Sequence, residues 1–171
     1  MSSNIAALTL IVVGAVTIFG TIWWSGRQSD VVSTVQAGPY YAIVTDDPDI
    51  LNEGARVYQT ACASCHGINF EGQENWRRPG EDGLLPAPPH DPSGHTWHHA
   101  DFILFNVVKF GPGYNVEGYR SRMRAYEELL TDSEIRAVNS YIAAQWPENV
   151  QNRQRAINAQ WEAANAEALK R

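Results

Sequence analysis

Cysteine is scarce, with Cys62 and Cys65 the two in 171 residues. Two thiols this close cannot build a disulfide framework, and a tetrahedral zinc site would need further ligands around them. A small secreted fold stapled by disulfides is excluded. Methionine is as rare, since Met123 is the one beyond the initiator. Positive charge is short where the chain reads as globular: residues 46–148 hold sixteen acids against eight bases, whereas residues 149–171 hold four bases against two acids. A segment of net charge −8 without a basic stripe repels phosphate backbones, which speaks against nucleic acid as a partner. Charged residues make up 19% of the chain, too few to hold it unfolded. There is no internal repeat.

Long hydrophobic runs are also missing, except at the start. Residues 5–24 form a 20-residue stretch without a charged side chain. At about 1.5 Å per helical residue it matches a hydrocarbon core of roughly 30 Å. A cleaved secretory signal would carry a positive n-region and a shorter apolar stretch. Here Met1 to Asn4 lack Lys and Arg, and Trp23 and Trp24 stand where aromatic belts meet the headgroups. Small residues at 35–37 offer a cleavage site, but the expectation is a retained transmembrane anchor over 1–27 in contact with membrane lipid. Arg27, on its C-terminal flank, argues weakly that this side faces the cytoplasm.

Residues 28–47 read as a connector whose Val31, Val32, Val35, Tyr40, Tyr41, Ile43 and Val44 suit a segment lying along the domain or a partner. Asp47-Pro48 reads as a helix cap followed by proline at the first helical position, opening a helix to about Ala61. A second helix is expected from about His98 to Phe110, stopped by Gly111-Pro112. The capping box from Thr131 to Glu134 opens a third, through Ile135, Val138 and Ile142 to Trp146. The extension 148–171 is expected to form an exposed helix. Between Gly67 and Trp97 lie Pro79, Pro86, Pro88, Pro89 and Pro92, in a loop long enough to suggest that it surrounds something.

Cys62-Ala63-Ser64-Cys65-His66 is the C-x-x-C-H pattern of covalent haem attachment. Two thiols three residues apart at a helix end can form thioethers to two vinyl carbons while the adjacent imidazole reaches the iron. A redox dithiol would expect a thioredoxin-like βαβ pattern, and helices and loops surround this one.

With this motif, Gly54-Ala-Arg-Val-Tyr58 and Gly67, and the later capped helix with Ile135, Val138, Tyr141 and Ile142, residues 48–147 resemble the class I monohaem cytochrome c family. The resemblance implies an all-α fold with one covalently attached haem c, flanked here by the anchor and the helical extension. It implies that the first and last helices cross closely beside the haem, at Gly54. It implies His66 as one axial ligand and Met123, in the stretch before the last helix, as the other. Met/His ligation raises the potential and suits an electron carrier. The family's methionine is commonly followed by proline, whereas position 124 is Arg. The resemblance further implies a proline carbonyl on the Nδ1 hydrogen of His66, which Pro86 or Pro88 would supply. Trp97 is a candidate propionate donor or a wall of the pocket.

His90, His95, His98 and His99 crowd into ten residues, and His95, His98 and His99 would share one face of a helix. A copper or zinc site, a histidine in place of Met123 at the iron, and contact with solvent or propionates are the alternatives. Arg120, Arg122 and Arg124 flank Met123, with Arg77 and Arg78 added if the long loop folds that way; the alternatives for them are a basic rim for docking and pairing with haem propionates or nearby acids.

The expected function is a membrane-anchored monohaem carrier of single electrons, free or as a subunit of a respiratory or photosynthetic assembly, with redox proteins as partners and no enzymatic activity. Because haem is attached on the far side of the bacterial cytoplasmic membrane, the domain is expected in the periplasm, against the weak signal of Arg27. The competing classes are a haem enzyme or gas sensor with an open distal site, and a mainly structural haem subunit.

Overall fold

The computed structural model describes residues 39–169, so the expected anchor at 1–27 and residues 28–38 of the connector lie outside the described residues. Among those described, every regular element is a helix, and none is long and apolar enough to cross a membrane.

The first helix, α1, spans Pro48–Val57. The Asp47 carboxylate accepts from the Asp49 and Ile50 amides at 2.9 and 3.2 Å, an N-cap that contributes about 1 kcal/mol. The helix does not stop at Ala61. It widens into a π-type turn over Tyr58–Cys62, closed by the Ala63 amide on the Tyr58 carbonyl, and resumes as α2 over Ala63–His66. The extra residue in that turn rotates the thiol-bearing end relative to the face that buries Gly54 and Val57.

After the proline-rich loop comes a 3₁₀ turn over Thr96–His98, then α3 over Asp101–Phe110. The start expected at His98 is corrected, because His99 and Ala100 are extended and break the helix there. Gly111 ends α3 with φ of 86°, the left-handed region open to a residue without Cβ. The capping box forms as expected: Thr131 and Glu134 exchange hydrogen bonds at the start of α4, Asp132–Ala144. Pro147 then precedes α5, Glu148–Asn165.

α1 crosses α4 at Gly54. Beside the crossing, Val57, Tyr58 and Ala63 pack with Val138, Ile142, Ala143 and Trp146. A second cluster joins Tyr41, Phe105 and Ile135.

Two expectations about the flanks change. The extension is helical but docked: Val150 packs on the core, Gln154 is buried, and Trp161 stacks on Phe102 at 4.9 Å. Its contacts are partly polar, so no apolar stripe announced them. Gln154 donates to Asp101 Oδ1 at 2.6 Å, and Asn158 accepts from the Asp101 amide at 3.0 Å. Asn158 thereby caps α3 from outside, where Ala100 has no side chain to do so.

The end of the connector belongs to the domain. The Ile43 amide donates to Asp101 Oδ2 at 2.9 Å, the Val44 amide to Ser140 Oγ at 3.0 Å, and Arg136 Nε to the Ala42 carbonyl at 2.8 Å. Tyr41 is buried, edge-on to Phe102. The boundary expected at residue 47 therefore lies nearer residue 39.

Candidate functional site

Cys62 ends the widened turn and Cys65 and His66 lie on α2, so one continuous helix presents both thiols and the imidazole. Both cysteines are free, Cys65 exposed and Cys62 half-buried. Burial, reinforced by the neighbouring Cys65, pushes the Cys62 thiol up to about 11.

His66 is buried, with Nδ1 2.9 Å from the carbonyl oxygen of Pro88. Pro88, rather than Pro86, thus supplies the contact. A carbonyl can only accept, so this bond places the proton on Nδ1 and leaves the Nε2 lone pair for a metal. Burial depresses the His66 pKa and the Pro88 bond opposes it, which favours the neutral, ligating form. Two thiols at the attachment spacing would hold the porphyrin of a covalently attached haem, and an imidazole locked in the ligating tautomer would hold its iron.

The loop around His66 is tied down by contacts of Tyr58 and His90 that the sequence did not anticipate. Tyr58, fully buried, donates its hydroxyl to the Gly67 carbonyl at 2.8 Å and packs on Phe70. His90 stacks on His66 with ring centroids 4.0 Å apart and planes at 21°. Burial, then the neighbouring His66 and His95, hold the His90 pKa well below its ordinary value.

Met123 is half-buried in the stretch between α3 and α4, its amide bonded to Ser121 Oγ at 3.0 Å. Two contacts fix this stretch. Arg122 forks onto Asp82 at 2.7 and 3.0 Å, drawing the Asp82 carboxyl down to about 2. The Tyr126 hydroxyl donates to the Ala61 carbonyl at 2.8 Å, bringing the Met123 stretch against the turn that ends at Cys62.

Trp97 directs its indole N–H to the Pro92 carbonyl at 3.3 Å and packs on the core cluster, an arrangement that suits a wall better than a propionate donor. The histidine-rich segment does not form a metal site. Its helix breaks at His99, so the i, i+3, i+4 face is lost; His95 stacks on Trp76 and His98 on Trp97. Among the described residues no group of three or more His, Cys, Asp or Glu could hold a metal ion. The basic rim is smaller than expected, because Arg122 is paired, and Arg77 lies over Trp76 at 4.0 Å. Arg120 and Arg124 are exposed and form no ion pair among the described residues.

A domain whose regular elements, among the described residues, are all helices, and which sets two cysteine thiols beside an imidazole held by a proline carbonyl, defines a c-type haem protein. Residues 51–146, more than half of the chain, match the model of the Cytochrome c family, and the chain belongs to that family. Its cofactor is haem c, an iron porphyrin attached covalently, and its chemistry is haem-based electron transfer. Neither the curated proteins nor the solved structures yield a significant match.

Proposed function

We propose that the protein carries single electrons through one haem attached at Cys62 and Cys65 and ligated by His66 and Met123. The observation that carries this reading is the Nδ1 contact of His66 with the Pro88 carbonyl beside two free thiols. The haem supplies the change between ferric and ferrous iron. The polypeptide holds the ligands, excludes water around His66 and needs no acid–base group. Fixation of the Met123 stretch by Tyr126 and Arg122 supports methionine as the second ligand, since a loop held at both sides positions a thioether at little entropic cost. Changing Cys62 and Cys65 together to Ala is expected to abolish covalent attachment. Haem staining of the denatured protein on a gel checks it, and a stained band from the double variant would overturn the reading.

The hydrophobic run at 5–24 supports a single-pass anchor in a bacterial cytoplasmic membrane, with the haem domain on the periplasmic side and the carrier serving a respiratory or photosynthetic chain, free or within a complex. Removing residues 1–27 and supplying a cleavable export signal is expected to yield a soluble domain loaded with haem, because the packed helices, both cysteines and His66 all lie downstream of residue 47. A truncated chain that still sediments with membranes removes the anchor from this account.

Partner proteins with acidic docking faces suit Arg120 and Arg124. Their joint change to Gln is expected to slow electron exchange with such a partner on the order of tenfold at low salt. The potential should barely move, and the rate difference should shrink as salt is added. Equal rates at low ionic strength would show that docking lies elsewhere.

A further inference from the structure

We propose that His90 is a positioning residue for the axial ligand: its ring, laid against the face of His66, fixes the orientation of the His66 imidazole plane at the haem. The inference rests on the reading that His66 binds the iron.

The contact with Pro88 alone cannot do this. A hydrogen bond to a carbonyl tolerates a broad spread of directions, so a ring held at Nδ1 can still rock. A second flat ring, 4.0 Å away and within 21° of parallel, blocks that motion by direct contact across the face.

The blocking ring must itself be fixed, and His90 is fixed at three points. Its Nδ1 lies 2.8 Å from Thr96 Oγ1, its amide donates to the Phe70 carbonyl at 2.8 Å, and its carbonyl accepts from Trp146 Nε1 at 2.7 Å. Tyr58 stands edge-on to it, with centroids 6.3 Å apart. Trp146 belongs to the core cluster that joins α1 to α4 and Phe70 packs against it, so the orientation of His90 is tied to the helix crossing. A leucine could fill a similar volume without defining a plane. A histidine keyed to Thr96 defines one.

The plane of an axial imidazole has a spectroscopic signature, because it orients the half-filled orbital of low-spin ferric iron and so sets the g anisotropy. Electron paramagnetic resonance of the full-length, haem-loaded protein tests the assignment with three variants. His90→Leu is expected to shift and broaden the largest g value. His90→Phe, which keeps a flat ring but loses the bond to Thr96, should keep the wild-type value with a broadened line, and Thr96→Val, which frees His90 to tilt, should broaden the signal likewise. Wild-type g values in His90→Leu, or an equal shift in His90→Phe, would overturn the proposal and leave His90 as core filling. If His90→Leu does not fold, an unbroadened Thr96→Val signal overturns it instead. A wild-type protein without a low-spin, imidazole-ligated signal would remove His66 as the ligand, a separate failure from that of the stack.

Discussion

Replacing Gly54 by Ala is expected to destabilise the domain by about 2 kcal/mol, and by Val by about 3 kcal/mol or more. Helix propensity alone predicts the opposite sign for alanine, a gain of about 1 kcal/mol inside a helix. Packing decides against it. A Cβ at position 54 would stand 2.6 Å from Tyr141 Cβ and 2.7 Å from the Ala137 carbonyl carbon, with the Ala137 oxygen closer still. Two of these atoms are backbone of α4, so relief requires the helices to separate, and separation loosens the contacts of Val57 and Tyr58 with Val138 and Ile142. Thermal unfolding of the haem-loaded variants checks the sign, with a fall in midpoint on the order of 5 to 10 °C for alanine. A midpoint at or above that of the unmodified protein would show that the crossing yields more easily than its distances imply.

Met123→Ala is expected to remove the near-infrared thioether-to-iron absorbance completely, to lower the reduction potential, and to let the ferrous haem bind carbon monoxide. The first two effects follow from losing a soft sulfur ligand that favours ferrous iron. The third follows from an opened coordination position. Arg122 and Tyr126, which hold the stretch, do not contribute the thioether, so the loss should be chemical rather than structural. Retention of the absorbance would exclude Met123 as the ligand. Carbon monoxide binding by the unmodified ferrous protein would instead favour the open-site class of haem enzyme or sensor.

The parts legible in the sequence are those written in local chemistry. Asp47-Pro48 and the Thr131 to Glu134 box name their helix starts because each cap is complete within a few residues. The spacing of Cys62, Cys65 and His66 states its chemistry without tertiary context, whereas the close approach at Gly54 comes from the family resemblance and not from the local sequence. What stayed hidden depends on which distant atoms meet. The widened turn at Tyr58–Cys62 has no sequence signal of its own. The choice between Pro86 and Pro88 rests on the path of a loop without periodicity, and the same path brings His90 onto His66. Polar docking of α5 through Gln154 and Asn158 left no apolar stripe to read. The pairing of Arg122 with Asp82 spans 40 residues between two loops, so the sequence leaves a docking rim and pairing with an acid equally open for Arg122.

Asp101 gathers two distant segments of the domain onto one side chain and its amide. Its carboxylate takes the Ile43 amide from the segment before α1 and Gln154 from α5, while its own amide is received by Asn158. Segments outside a helical core commonly open one at a time at small free-energy cost. Here opening either segment strips a partner from a carboxylate that is largely withdrawn from water and whose proton affinity burial already raises. The two are thereby coupled: the segment at residue 43 and helix α5, more than 100 residues apart in sequence, are expected to open together, and a cut or mutation that releases one is expected to lower the protection of the other.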